Sequence, residues 1–302
     1  MLLQKIAAFS DGAVGGNPAG VWISDSALPP PGDMQRIAAE VGFSETVFAA
    51  PLSQDNADRS GWHVRYFSPE TEVPFCGHAT IALGAALAQR CGDGVFALSL
   101  RDADITVEGR RQGGHSAHSN PGDQHNPDNL VQVALQSPPT HSAPAPAALL
   151  TDALALFGYT AADLDPRIPP ALIHGGADHL VLALRQRSAL SAMHYALEAG
   201  RTLMVGAGLV TIVLVVAESD QRLHTRNAFA SGGVLEDPAT GAATAALAGY
   251  LRDLCWPHGG AIAVVQGEDM GMRSLLHAEV GPVPASSVRV SGTARWMRAD
   301  EG

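Results

Sequence analysis

Two short stretches hold most of the residues whose types and spacing could do chemistry. In Glu72-Val73-Pro74-Phe75-Cys76-Gly77-His78-Ala79-Thr80 a thiol and an imidazole flank a glycine, and in Glu236-Asp237-Pro238-Ala239-Thr240-Gly241-Ala242-Ala243-Thr244 two carboxylates precede one. The second stretch starts 164 residues after the first and matches it at five of nine positions in the same register: Glu, Pro, Gly, Ala and Thr. A histidine, a thiol and carboxylates near a glycine are the groups that proton abstraction next to a carboxylate would use. Gly77 and Gly241 have no Cβ to hold an anion off the backbone. Each opens a helix-forming segment, whose first-turn N–H groups lack intrahelical partners and carry partial positive charge.

A further acid, Glu45, lies in Phe43-Ser44-Glu45-Thr46-Val47-Phe48, which alternates as a strand and puts Glu45 on the face of Phe43 and Val47. There it would be a partly desolvated acid able to give and take protons, unless a strand end or bulge turns it to solvent. Plainer readings exist for the others as well. His78 has apolar neighbours and would suit a core; Asp237 before Pro238 has the pattern of a helix N-cap with proline at the first helical position.

The elements that must position these groups follow the same repeat. Residues 79–88 carry one polar side chain, Thr80, and residues 242–251 are nearly as apolar. A helix apolar all round is buried or spans a membrane, and about ten residues are too few to span one. Segments of strand character surround both: 95–100, 105–108 and 131–135 around the first, 180–184, 209–216 and 262–265 around the second. The expected fold class is therefore α+β, with two pseudo-symmetric domains, each a curled sheet or barrel around a central buried helix. The first domain is expected over 1–128 with its helix at 78–90, and the second over 129–302 with its helix at 241–254. The last strand, 287–291, either closes the second domain or returns to the first. Residues 33–41 and 147–157 read as corresponding amphipathic helices, and the apolar run 203–217 as buried strand. Two helix mouths facing each other would form one site for a carboxylate.

Composition narrows the partners. At 302 residues the chain suits two domains, and 46% hydrophobic with 16% charged residues is enough for substantial cores. A net charge of −11 without clustered Lys or Arg argues against nucleic acid. No stretch is long enough for a membrane helix. The loop-like stretch 110–129 contains His115, His118 and His125, but no carboxylate or cysteine at ligand spacing, so no metal is expected there. Cys76, Cys91 and Cys255 cannot all be paired and fit no zinc pattern, and the N-terminus lacks a signal peptide's charged start and long apolar run; a reducing, cytoplasmic setting is expected. The glycine-rich stretch 10–20 matches neither a dinucleotide nor a Walker loop.

Taken in order, Gly16-Asn17-Pro18-Ala19, Ser44-Glu45-Thr46, Phe67-Ser68-Pro69, Cys76-Gly77-His78-Ala79-Thr80, Glu236-Asp237-Pro238-Ala239-Thr240-Gly241 and Gln266-Gly267 resemble the PhzF-like phenazine-biosynthesis family along nearly the whole chain. The resemblance implies the diaminopimelate epimerase-like fold, a homodimer, and an isomerase without metal or cofactor that shifts a proton on a small carboxylate substrate. It implies Glu45 as general acid/base, with His78 and Asp237 assisting, and backbone donors at Gly77 and Gly241 beside Cys76, Thr240 and Ala242. Ala242 departs from the family, which usually has serine there. Two other functions fit the residues: a two-base racemase or epimerase using Cys76, whose repeat partner Thr240 is a poor base, and a dimeric metabolite-binding protein without turnover.

Overall fold

Runs of Val, Ile, Leu and aromatic residues too short for helices become strands, and in each half these wrap one apolar helix. The computed structural model describes residues 3–52, 61–101, 103–112, 130–298 and 301. His115, His118 and His125 lie outside the described residues. Two units are formed, Met1–Gln136 with Ser291–Gly302, and Ser137–Val290. In chain order the first half contains β1 (Gln4–Ser10), β2 (Asn17–Ile23), α1 (Pro31–Val41), β3 (Thr46–Pro51), β4 (Trp62–Phe67), β5 (Glu72–Val73), α2 (Gly77–Cys91), β6 (Gly94–Ser99), β7 (Asp104–Arg111) and β8 (Val131–Gln136). The second contains β9 (His141–Pro144), α3 (Ala147–Phe157), β10 (Ala171–His174), β11 (Asp178–Ala183), α4 (Arg187–Ser191), α5 (Leu197–Gly206), β12 (Thr211–Ala217), β13 (Arg222–Ala228), β14 (Glu236–Asp237), α6 (Gly241–Asp253), β15 (Ala261–Gln266) and β16 (Ser274–Glu279). The chain then runs into β17 (Arg289–Trp296).

The first unit is a closed ring. β17 pairs antiparallel with β1, β1 antiparallel with β2, β2 parallel with β3, β3 antiparallel with β4, β4 parallel with β6, and β6 and β8 flank β7 antiparallel. β8 meets β17, which closes the ring. The second unit repeats these orientations in the same sequence from β9 through β10, β11, β12, β13 and β15 to β16. Even the registers agree. Thr46 pairs with Phe67 and Phe67 with Glu72 in the first unit; Ile212 pairs with Ala228 and Ala228 with Glu236 in the second.

Helix α2 packs against β1, β2, β3, β6, β7 and β8, and α6 against β9, β10, β11 and β16. Ile81, Leu83 and Leu87 are fully buried, each contributing roughly 1.5–3 kcal/mol. Close approach of α2 to β7 depends on two glycines. A Cβ on Gly109 would lie 2.6 Å from the Gly84 oxygen, and one on Gly84 would lie 2.6 Å from Val107 Cγ2. On one face of the second sheet, Leu180, Leu182, Ile212 and Leu214 pack with Phe157 and Met204 from α3 and α5.

Three expectations change. Residues 43–45 are not strand: β3 begins at Thr46 and is buried throughout apart from Pro51, because α1 covers one face through Met34 and Ala38 against Phe48 and α2 covers the other. Alternation therefore does not place Glu45. Residues 203–206 belong to α5, where Gly200 and Met204 form the buried stripe, and only Thr211–Ala217 is strand. The topological counterpart of α1, between β2 and β3, is the α4–α5 segment between β11 and β12, whereas α3 lies between β9 and β10.

Candidate active site

In the first unit, α1 ends at Gly42, whose left-handed φ of 72° turns the chain toward residues 43–45. The Gly20 N–H donates to the Glu45 carbonyl at 3.1 Å and anchors the segment beside β2. That leaves the Glu45 carboxylate 3.4 Å from His78 Nε2, with the two side chains only 13% and 7% exposed. Ser44 Oγ lies 3.5 Å from the same nitrogen, and Cys76 Sγ lies 3.3 Å from Nδ1. His78 is thus not a core histidine among apolar neighbours but the centre of a polar cluster. Cys76 is the N-cap of α2 in extended conformation and makes no side-chain cap, so no side chain of that residue covers the first-turn donors at Gly77 and His78. Behind the cluster, Thr80 Oγ1 donates to the Cys76 carbonyl at 2.7 Å and meets Tyr66 Oη at 2.7 Å. Burial raises the Tyr66 phenol well above its ordinary range, so it remains a neutral hydrogen-bonding partner.

In the second unit the two carboxylates separate in role. Arg226 forms a two-pronged ion pair with Glu236, Nη2 to Oε2 at 2.5 Å, and donates from Nη1 to the carbonyls of Ser191 and Met193 near the end of α4. Burial works against the Arg226 charge, but Glu236, with Asp269 and Tyr159, outweighs it and holds the guanidinium above its ordinary range. Glu236 is therefore structural. Asp237 lies in β14 and is not an N-cap; Thr240 is, and its hydroxyl donates to Asp237 Oδ2 at 2.5 Å. Buried Gln266 ties both: Nε2 donates to the Asp237 carbonyl at 2.7 Å and to Thr240 Oγ1 at 3.0 Å, while Oε1 accepts from Thr240 N–H and Asn227 Nδ2. Gly267 permits this approach, since at its φ of 71° a Cβ would lie 2.5 Å from the Met272 oxygen. Gly241 is buried and Ala242 partly exposed at the start of α6, which likewise has no side-chain cap.

The structure thus gathers Glu45, Cys76, Gly77 and His78 at one helix mouth, and Asp237, Thr240, Gly241 and Ala242 at the other. Sequence reasoning gave no role to Ser44, Arg226 or Gln266. Ser44 and Gln266 stood within the quoted motifs, but nothing in their types showed what they would touch. The ligand-type atoms of Glu45, Cys76 and His78 all lie within 4.8 Å of one another, a set able to hold a metal ion. Among the described residues no helix is long and apolar enough to cross a membrane.

Comparison with known proteins agrees with this architecture. The family model described as phenazine biosynthesis-like protein (PhzC-PhzF) matches residues 6–299. A trans-2,3-dihydro-3-hydroxyanthranilate isomerase from Pseudomonas aeruginosa is 30% identical over 292 residues, covering 95% of this chain and 94% of that one. Among solved structures, a PhzF-family protein from Bacillus anthracis is 20% identical with a TM-score of 0.77, covering 98% and 96% of the two chains. A hydroxyproline epimerase from Agrobacterium vitis, solved with trans-4-hydroxy-L-proline, is 12% identical with a TM-score of 0.61, covering 98% and 90%. Fold and relatives together define an isomerase built on the diaminopimelate epimerase-like fold. The chain belongs to the phenazine biosynthesis-like family.

Proposed function

We propose that the chain moves a proton on a small carboxylate, preferably a cyclic one, by general acid/base catalysis with no metal or cofactor. The observation that carries the reading is Glu45 held against His78 at the uncapped start of α2. Glu45 takes the proton from the carbon next to an electron-withdrawing group and returns it elsewhere, and His78 stabilises the charge that Glu45 gains or loses. First-turn donors at Gly77 receive the substrate's carboxylate; in the second unit Thr240 and Gln266 fix Asp237 beside the donors of Gly241. Because relatives of this length are named for a dihydro-hydroxyanthranilate, that compound heads the substrates to test.

A second reading rests on the 3.3 Å contact of Cys76 Sγ with His78 Nδ1, a pairing that activates thiols in other enzymes. It would make Cys76 one base of an epimerase. The deciding experiment incubates wild type and Glu45→Gln with cyclic and amino-acid carboxylates in deuterated water and follows solvent exchange by NMR. Exchange by the wild type and its loss in the variant is expected; exchange undiminished in Glu45→Gln would reject the proposal.

A further inference from the structure

We infer that Glu45, Cys76 and His78 form a binding site for a thiophilic divalent cation, best matched by zinc, and that its occupation removes Glu45 and His78 from proton transfer. The consequence for catalysis rests on the function proposed above; the ligand set does not. Zinc bound by nitrogen and oxygen at about 2.0 Å and sulfur at about 2.3 Å in a tetrahedron spaces its ligand atoms roughly 3.3–3.5 Å apart. His78 Nε2 lies 3.4 Å from Glu45 Oε2 and 3.9 Å from Cys76 Sγ, so one nitrogen serves both edges after a small rotation of the cysteine. Ligand types agree with the metal: one imidazole, one carboxylate and one thiol, with the fourth position left to water or a substrate carboxylate.

Burial favours capture. Cys76 and His78 are buried and Glu45 is partly exposed, so an ion entering past the carboxylate would exchange its hydration shell for three protein ligands. On binding, the Cys76 S–H bond breaks and its proton leaves to solvent; the sulfur lone pair, the Glu45 oxygen and the neutral His78 nitrogen then form bonds to the ion, with no change of oxidation state. In that state one Glu45 oxygen and the His78 nitrogen are committed to the ion, and the ion's positive charge lowers the basicity of the other Glu45 oxygen toward a substrate proton. The site would make the protein sensitive to zinc rather than dependent on it.

The test uses the full chain carrying Cys91→Ser and Cys255→Ser, which removes the two exposed thiols. Titration with cobalt(II) is followed by absorption, because a cobalt–thiolate bond gives a charge-transfer band whether or not any substrate is known. One equivalent of band is expected, displaced by zinc, absent after Cys76→Ala, and weakened in affinity by at least ~100-fold in Glu45→Gln and in His78→Gln, beyond what loss of an outer-shell partner typically causes. A band that persists in Cys76→Ala, or affinity unchanged in Glu45→Gln, overturns the site. Far-UV circular dichroism on each variant separates lost ligands from lost fold. Failure to find any solvent exchange in the metal-free protein would count against the proposed isomerisation and leave the optical result standing.

Discussion

The two helix mouths are built on one frame and equipped differently. The pairings that align Glu72 with Glu236 also align Thr46 with Ile212 and Gly20 with Leu180, so Glu45 corresponds to Thr211 and Ala19 to His179. On the helices His78 corresponds to Ala242 and Cys76 to Thr240. The imidazole has changed elements. The first unit has alanine on the strand and histidine on the helix; the second has histidine on the strand and alanine on the helix. His78 touches a carboxylate and a thiol, whereas His179 is fully buried, with Nδ1 2.7 Å from the Thr211 hydroxyl. Burial pushes His179 down to about 3, so it is neutral at any physiological pH. The first mouth thus brings three titratable side chains into contact, and the second holds hydrogen bonds that fix geometry.

Substitution of Glu45 and of its counterpart Thr211 should break this contrast most sharply. Removing a positioned acid/base typically costs roughly 10²–10⁴-fold in rate, so solvent exchange should fall at least ~100-fold in Glu45→Gln and less than ~10-fold in Thr211→Val. Equal losses would mean that the mouths share the chemistry.

One ion pair is kept by both units. Arg65 holds Glu72 at 2.6 Å, just as Arg226 holds Glu236, and each arginine sits two residues before the strand partner of its glutamate, Phe67 for Glu72 and Ala228 for Glu236. The side chains of the first pair are 22% and 24% exposed, those of the second 12% and 6%. Stranding a buried carboxylate costs about 3–5 kcal/mol, and breaking a more exposed pair about 1 kcal/mol or less. Urea denaturation should therefore show Arg226→Met about 2 kcal/mol or more worse than Arg65→Met. Similar losses would show that burial does not separate the pairs.

A smaller effect should appear as a pH slope. Unfolded His179 titrates near 6.5, whereas the folded residue stays neutral down to about 3, so below pH 6.5 the unfolded state binds the extra proton. Stability is then lost as pH falls through that window, by up to about 1.4 kcal/mol per unit from this residue. His179→Gln keeps a partner for Thr211 without titrating. Its unfolding free energy between pH 7 and 5 should fall less steeply than the wild type's, and identical slopes would contradict the burial of a neutral ring.

Much of this architecture was legible because the repeat is exact where it matters. Glu, Pro, Gly, Ala and Thr recur at one spacing, and apolar helices demand a wrapping sheet. The paired arginines were not legible, because the loop from Phe67 to Glu72 is shorter than that from Ala228 to Glu236, which moves Arg65 and Arg226 off the common period. β13 is absent from the strand segments expected because Arg222, His224, Thr225, Arg226 and Asn227 make it polar, yet the strand is central, and His224, Arg226 and Asn227 Nδ2 contact Glu218, Glu236 and Gln266. Glu45 was placed on the wrong local grounds. Its position comes from the Gly42 turn and the Gly20 hydrogen bond, which alternation cannot encode.

The smallest expected effect is at Cys76, and it sharpens the comparison between the mouths. Its counterpart Thr240 binds Asp237 and Gln266 through hydrogen bonds, and a threonine hydroxyl is too weak an acid or base to serve as the second group of a two-base epimerase. If the frame assigns these positions to local support, Cys76 does for His78 what Thr240 does for Asp237: it touches the ring at Nδ1 while Glu45 and Ser44 occupy Nε2. Cys76→Ser preserves a polar partner for Nδ1 and should leave solvent exchange within ~3-fold of wild type, and Cys76→Ala within ~10-fold. An inactive Cys76→Ser beside an active Glu45→Gln would instead make the thiol the proton carrier, and would move the chemistry from one carboxylate to the Cys76–His78 pair.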